Sequence, residues 1–422
     1  MPAPIVLFED QFLADMNPIC LTRPAFAVTC ACATLWEVVR GCSAETAWVV
    51  RDYLKKVTAR RFGALQPPRG RLERPTLFLN ASILPDVRYR ERITRLAAEA
   101  APFVATANRR VSAALVPSGA AVPEPFTAET VTPWLLEQKL PLADDGLFAT
   151  VDHQFEVIKH LEELFPANLE ARIRAGRFRE VRSGVFAAEG VRVADSAVFH
   201  PEGGPIVLDR EVVVGDFGLF DGPVYVGPRS RLIERASLKE FVCIGEVCKI
   251  GGEIEKSIID DYTNKQHHGF LGHSWVGSWV NLGAGTSNSD LKNTYGEVRL
   301  ELPGRREPWQ PAQSVETGMQ FMGCVIGDYA KSAINTSIFT GKLVGVASML
   351  YGSVGANVPS FCNYARSFGQ ITECPLEQAV LIQKRMFERR GVAQTPHDVE
   401  VLAAVFEMTR RERLLSDEPP AL

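Results

Sequence analysis

Residues 267 to 293 read HHGFLGHSWVGSWVNLGAGTSNSDLKN: two adjacent histidines, then a run of glycines and small residues carrying three asparagines. An imidazole is the side chain best suited to take a proton from a nucleophile near neutral pH. Neighbouring residues on a strand point to opposite sides, so only one of His267 and His268 can face a cleft. His267 is the candidate base, while His268 and His273 read as structural or merely exposed. No cysteine or serine of this region has a paired base, so the residues point to direct attack on a substrate rather than to a covalent enzyme intermediate.

The elements that would hold such a site follow from a repeat. From Leu208, steps of six reach Val214, Phe220, Val226, Leu232, Leu238, Ile244 and Ile250, all apolar. With just under half the chain hydrophobic, chance gives eight such hits about once in 500 trials. Four residues after each lie Val212, Gly218, Val224, Ser230, Ala236, Val242, Cys248 and Ile254, all small or compact. The row resumes as Ile258, Phe270, Val276 and Leu282, then as Ile326, Ile338, Val344 and Leu350. Neither a helix nor an ordinary strand has a period of six. A triangular prism of short strands does, with the apolar residue of each side turned inward and the small residue at the corner. Cys248 is then a corner residue and needs no metal.

On these residues, segment 185–365 resembles the hexapeptide-repeat, left-handed β-helix acyltransferases. The resemblance implies a homotrimer that binds an acyl-CoA in the groove between neighbouring prisms. Within it, NKQHHGFLGHSWVGSWVNLGAGT resembles the acetyltransferase half of the bifunctional bacterial enzyme that acetylates glucosamine 1-phosphate and then uridylylates the product. Aligned on LG and NLGAGT, the resemblance implies His267 as catalytic base, Phe270 in place of an aromatic tyrosine, Asn281 as substrate-binding asparagine and Ala284 as a CoA-contacting backbone position. Phe270 lacks the tyrosine hydroxyl, and the family's Asn-Tyr pair after GAGT is differently spaced in SNSDLKNTYGEV. The combination with SIIDDYTNKQHHGFLG and IGDYAKSAINTS is similar to a divergent branch of these two-domain proteins. There Lys265, Lys292 and Asn293 would meet a sugar phosphate, and Lys331 and Asn335 would lie where CoA runs.

Residues 1–170 alternate strand-like runs (PIVLFED, ETAWVVRDYL, PTLFLNAS) with helical patterns (ATLWEVVRG, RYRERITRLAAEAA, VDHQFEVIKHLEELF). That alternation favours an α/β layer fold with a mostly parallel sheet. NPICLTRPAFAVTCACATLWEVV is similar to the start of sugar-phosphate nucleotidyltransferases, which implies a Rossmann-like domain with Thr22 and Arg23 near a nucleoside triphosphate. The glycine-rich turn that cradles nucleotide phosphates has no counterpart after IVLFED. Any nucleotidyl transfer would therefore need Mg²⁺ to screen the phosphates. Residues 375–422 hold two amphipathic helical patterns, the second opened by Thr395 and Pro396.

Composition bounds the rest. The 422 residues are 46% hydrophobic and 23% charged, with a formal charge of −4. There is no basic excess to suggest nucleic acid or anionic membrane, no signal-peptide pattern and no apolar run long enough to cross a bilayer, so the cytoplasm is the default expectation. The nine cysteines form no CxxC pair and read as buried thiols. The main expectation is an acetyl-CoA-dependent N-acetyltransferase of an amino-sugar phosphate fused to a nucleotidyltransferase-like domain, serving nucleotide-sugar supply to the cell envelope. Its rivals are a nucleotidyltransferase whose β-helix only trimerises, and a catalytically silent sugar-nucleotide-binding scaffold.

Overall fold

Ile5–Phe8, four apolar residues without alternation, form strand β1, and all four are buried. Thr46–Val49 (β2) and Thr76–Asn80 (β3) flank it in parallel register. Beyond β3 the sheet turns antiparallel: Arg110–Val116 (β5) pairs with β3, and Phe103–Ala107 (β4) pairs with β5 at the edge. The order β2-β1-β3-β5-β4 is thus mixed, not mostly parallel. Its last two strands are joined by the short link at Asn108, which has φ +52 and closes a hairpin that a crossover helix could not. The computed structural model describes residues 2–63, 67–98, 101–143, 146–302 and 313–414.

The chain divides into compact units Met1–His153 and Gln154–Leu422. In the first, Val6, Phe8 and Phe78 pack with Val131, Trp134 and Leu135 of the helix Val131–Glu137. The helix Leu35–Val39 starts at a capping box between Thr34 and Glu37. The helix Leu161–Ala175, which continues the VDHQFEVIKHLEELF pattern, groups with the second unit. Its Phe165 ring meets Phe241 edge-on at 5.9 Å, and Arg172 lies over the Tyr225 ring.

The second unit is a three-sided β-solenoid. Its first face runs through Ile206–Leu208, Val224–Val226, Val242–Ile244, Ile258–Ile259, Trp275–Val276, Cys324–Ile326 and Lys342–Val344, each parallel to the next. The second face carries Arg231–Leu232, Lys249–Ile250 and Asn264–Lys265, and the third Ser237–Leu238, Glu253–Glu255 and Phe270–Gly272. Leu208 to Ile250 line a single apolar bore at steps of six, as the repeat implies.

Past Ile250 the phase slips. Ile250 to Ile254 is four residues and Ile254 to Ile259 five, so the inward positions become Ile254, Ile259 and Leu271. Ile254 is therefore a wall residue rather than a corner one, and Ile258 and Phe270 point away from the bore. Corners are made by a residue at positive φ followed by a small buried one: Arg229 (+59) before Ser230, Val247 (+56) before Cys248, Tyr262 (+62) before Thr263. A left-handed non-glycine residue costs about 1–2 kcal/mol, and here it turns a large side chain outward while the buried partner packs below the next coil.

After Asn288 the chain leaves the third face and returns at Cys324. Within this excursion Arg299–Glu301 pairs antiparallel with Ser314–Glu316, and residues 303–312 of the expected insertion lie outside the described residues. The helices Leu376–Glu388, Pro396–Met408 and Arg410–Leu414 follow. Asp398 accepts from the Thr395 N–H at 2.7 Å, the cap expected from the sequence. Residues 415–422 of the C-terminal segment lie outside the described residues. All nine cysteines are buried and none is in a disulfide, and no described helix is long and apolar enough to cross a membrane.

Candidate active site

The HHG stretch forms the corner between the second and third faces. Lys265 closes the strand Asn264–Lys265 and Phe270 opens the next, so His267 and His268 lie on the bend, both exposed. The GAG stretch is the same corner one coil later: the Gly285 N–H donates to the His268 carbonyl at 3.0 Å. Asn335 stacks on it in turn, its N–H donating to the Ala284 carbonyl at 2.7 Å. A Cβ on Gly285 (φ +77) would stand 2.1 Å from Asn335 Oδ1, so only glycine admits this stacking. His267, Ala284 and Asn335 thus share one edge of the solenoid.

The amides of that edge are unequal. Gly283 N–H donates to Ser332, and Gly285 N–H to His268. Among the described residues the Ala284 N–H between them has no hydrogen-bond partner, and it belongs to a half-buried residue. It is the amide of the GAG stretch left open to a developing oxyanion.

Asn281 and Lys331 follow Asn264 on the outer side of the second face, linked by parallel bridges. Asn281 is exposed, and its Oδ1 accepts from Asn264 Nδ2 at 3.2 Å. The Lys331 ammonium donates to the Tyr329 carbonyl at 2.9 Å, and burial pulls its pKa down to about 8. Around it stand Ala379, Ile382 and Met386 of the helix Leu376–Glu388, which covers this end of the face.

Three expected phosphate contacts fall elsewhere. Lys265 is 2% exposed, and its ammonium donates to the Gly251 and His267 carbonyls at 3.1 and 2.8 Å inside the bore. Because the phase slip gives Lys265 the inward place that Ile250 and Leu282 hold on their coils, it meets carbonyls instead of ligand. Lys292 and Asn293 lie on the excursion, beyond the third face from the His267 corner, with the Lys292 ammonium on the Glu297 carbonyl at 3.2 Å. Phe270 points outward, its ring over Gly272, where a Cβ would be 2.4 Å from Cζ.

Sequence reasoning did not single out the pairing of His273 with Asp290 (Nδ1 to Oδ2, 2.8 Å), which also stacks on Phe321. No spacing rule links residues 17 apart unless the coil length is known first.

In the first unit the C-terminal end of β1 is the ordinary ligand position of an open α/β sheet. Glu9 is spent there on the Arg51 guanidinium and on the Ala25 N–H at 2.9 Å. Asp10 accepts from Phe12 N–H, Asn80 and Arg110, and Arg110 also meets Asp152. Thr22 and Arg23 sit in the loop beside them; Arg23 is buried and its carbonyl accepts from Arg51 at 3.0 Å. Among the described residues no group of three or more His, Cys, Asp or Glu is arranged to hold a metal ion. With Glu9, Asp10 and Asp152 paired to Arg51 and Arg110, this set does not fit Mg²⁺.

The fold defines a two-unit protein: a mixed α/β domain followed by a three-sided β-solenoid. Residues 5–175 match the family model described as "Sugar nucleotidyl transferase". The bifunctional sugar-1-phosphate nucleotidylyltransferase/acetyltransferase of Sulfurisphaera tokodaii is 27% identical over 122 residues, 28% of each chain. The bifunctional protein GlmU of Methanococcus vannielii is 30% identical over 133 residues, 32% of this chain and 28% of that one. The aligned stretches thus span less than a third of these relatives. The solved UDP-N-acetylglucosamine acyltransferase of Francisella novicida overlaps 56% of this chain and 89% of its own at 16% identity, with a TM-score of 0.22, too loose a superposition to carry an argument. The family model, the relatives and the solenoid together fit the bifunctional family that the sequence resembles, a sugar nucleotidyl transferase domain fused to an acetyltransferase.

Proposed function

We propose that the solenoid transfers an acetyl group from acetyl-CoA to the amine of an amino-sugar phosphate at the His267 corner. The observation that carries this reading is the unbonded Ala284 N–H, stacked one coil from an exposed histidine. The amine attacks the thioester carbonyl while His267 takes its proton. The oxyanion is met by the Ala284 N–H, and collapse expels the CoA thiolate, which recovers a proton from the imidazolium. Asn281 contacts the sugar substrate, and Asn335 flanks the path of CoA. The protein works as a cytoplasmic homotrimer, a reading supported by the resemblance of the repeat.

The N-terminal unit is read as joining a sugar 1-phosphate to a nucleoside triphosphate, supported by the family match. Thiol release from acetyl-CoA with glucosamine 1-phosphate and related amino-sugar phosphates tests the first activity. Pyrophosphate release from UTP and dTTP, with and without Mg²⁺, tests the second. No thiol release with any amino-sugar phosphate sinks the acyl-transfer reading.

A further inference from the structure

Two side chains of the second face and one from beyond the helix Leu376–Glu388 form a relay whose direction is set at one end. Arg390, two residues beyond the helix Leu376–Glu388, donates from Nη2 to Asn264 Oδ1. A guanidinium has donors and no acceptor, so the Asn264 oxygen must face it. The Asn264 nitrogen is then the donor to Asn281 Oδ1 at 3.2 Å. Asn281 is left to present its amide nitrogen outward from an exposed side chain. The backbone holds the two asparagines side by side as bridge partners on successive coils. Phe387, one turn before Arg390, anchors the helix end with its ring 4.4 Å from Trp279.

We propose that Arg390 is a positioning residue that fixes Asn281 as a hydrogen-bond donor, so that the site reads an acceptor oxygen of its substrate. The proposal rests on the acyl-transfer reading. An unrestrained asparagine offers oxygen or nitrogen with equal ease and discriminates nothing; a guanidinium at the far end of the relay removes that choice. The C-terminal helices then act on recognition as well as covering the solenoid.

The test uses the full chain, with thiol release from acetyl-CoA and glucosamine 1-phosphate as the readout. Arg390→Met and Asn264→Asp are each expected to raise the KM of one substrate roughly tenfold, the loss of about one hydrogen bond, with little change in kcat. Whichever substrate shows the rise carries the acceptor oxygen. Arg390→Lys keeps a donor and should retain most of the affinity. In an Asn281→Ala background, Arg390→Met has nothing left to orient and should add no further rise; a second tenfold rise there overturns the relay. A neutron structure of Asn264→Asp gives a readout independent of turnover. The new carboxylate only accepts, so Asn281 must turn its nitrogen inward, and an oxygen still facing inward overturns the proposal. Rotation of the amide in a protein that acetylates no amino-sugar phosphate supports the relay and sinks only the acyl-transfer reading.

Discussion

From inside the bore, the Lys265 ammonium donates to the carbonyl of His267 at 2.8 Å, so a buried cation braces the corner that carries the candidate base. Burial lowers its pKa from 10.5 to about 8. Between those values the unfolded chain binds a proton that the folded chain has shed, so stability rises with pH from about 8 to 10.5, by about 3 kcal/mol over the whole window. Urea unfolding at pH 7.5 and 10 should show a clearly smaller gain in Lys265→Met than in the wild type, the remainder coming from Lys331, which burial lowers likewise. An identical gain in the variant would assign the effect to other groups.

His267→Ala should lower acetyl transfer by roughly two to four orders of magnitude while CoA still binds, as expected for loss of a general base. His268→Ala should have the smaller effect. The reverse ranking in thiol-release kinetics would move the base by one residue.

Ala284→Pro removes the unbonded N–H and should reduce kcat by roughly 10²–10³, the usual cost of losing one oxyanion donor. Unchanged kcat in a variant with wild-type circular dichroism would clear Ala284 of that role.

Gly285→Ala sets a methyl 2.1 Å from Asn335 Oδ1 at a positive φ. It should destabilise the protein by about 1–3 kcal/mol and weaken CoA binding, because Asn335 must move aside. Calorimetry on the variant, with and without CoA, checks both.

A chain beginning near residue 180 lacks the helix Leu161–Ala175, whose Phe165 and Arg172 cover Phe241 and Tyr225. It should aggregate, whereas a chain beginning at residue 154 should stay monodisperse. Equal behaviour in light scattering would show that the helix is dispensable.

The solenoid was legible because its period is carried by side chains that must be apolar: Leu208 to Ile250 mark the bore without knowledge of any contact. The phase slip was not. Shortening the coil at Gly251–Gly252 and again before Ile259 moves Lys265 inward and Phe270 outward, and the strand registers reveal it. The His267, Ala284 and Asn335 edge came from a motif and is brought together by the coil stacking. Asn264, Arg390 and the His273–Asp290 pair were illegible because their partners are set by coil length and by a helix some 126 residues away in sequence. In the first unit, the missing glycine turn was evident in the sequence. The commitment of Glu9 and Asp10 to Arg51 and Arg110 depends on β1, β2 and β5 meeting in space, and no local pattern announces it.

The apolar column of the solenoid is interrupted where Lys265, Asn288 and Ser332 take inward places in register with Ile250, Ile338 and Leu350. A stack of coils holds together by nearest-neighbour coupling, so this polar belt is its weakest joint. Pulled from its ends, the solenoid would part there into two greasy halves, and the candidate chemistry sits on the seam.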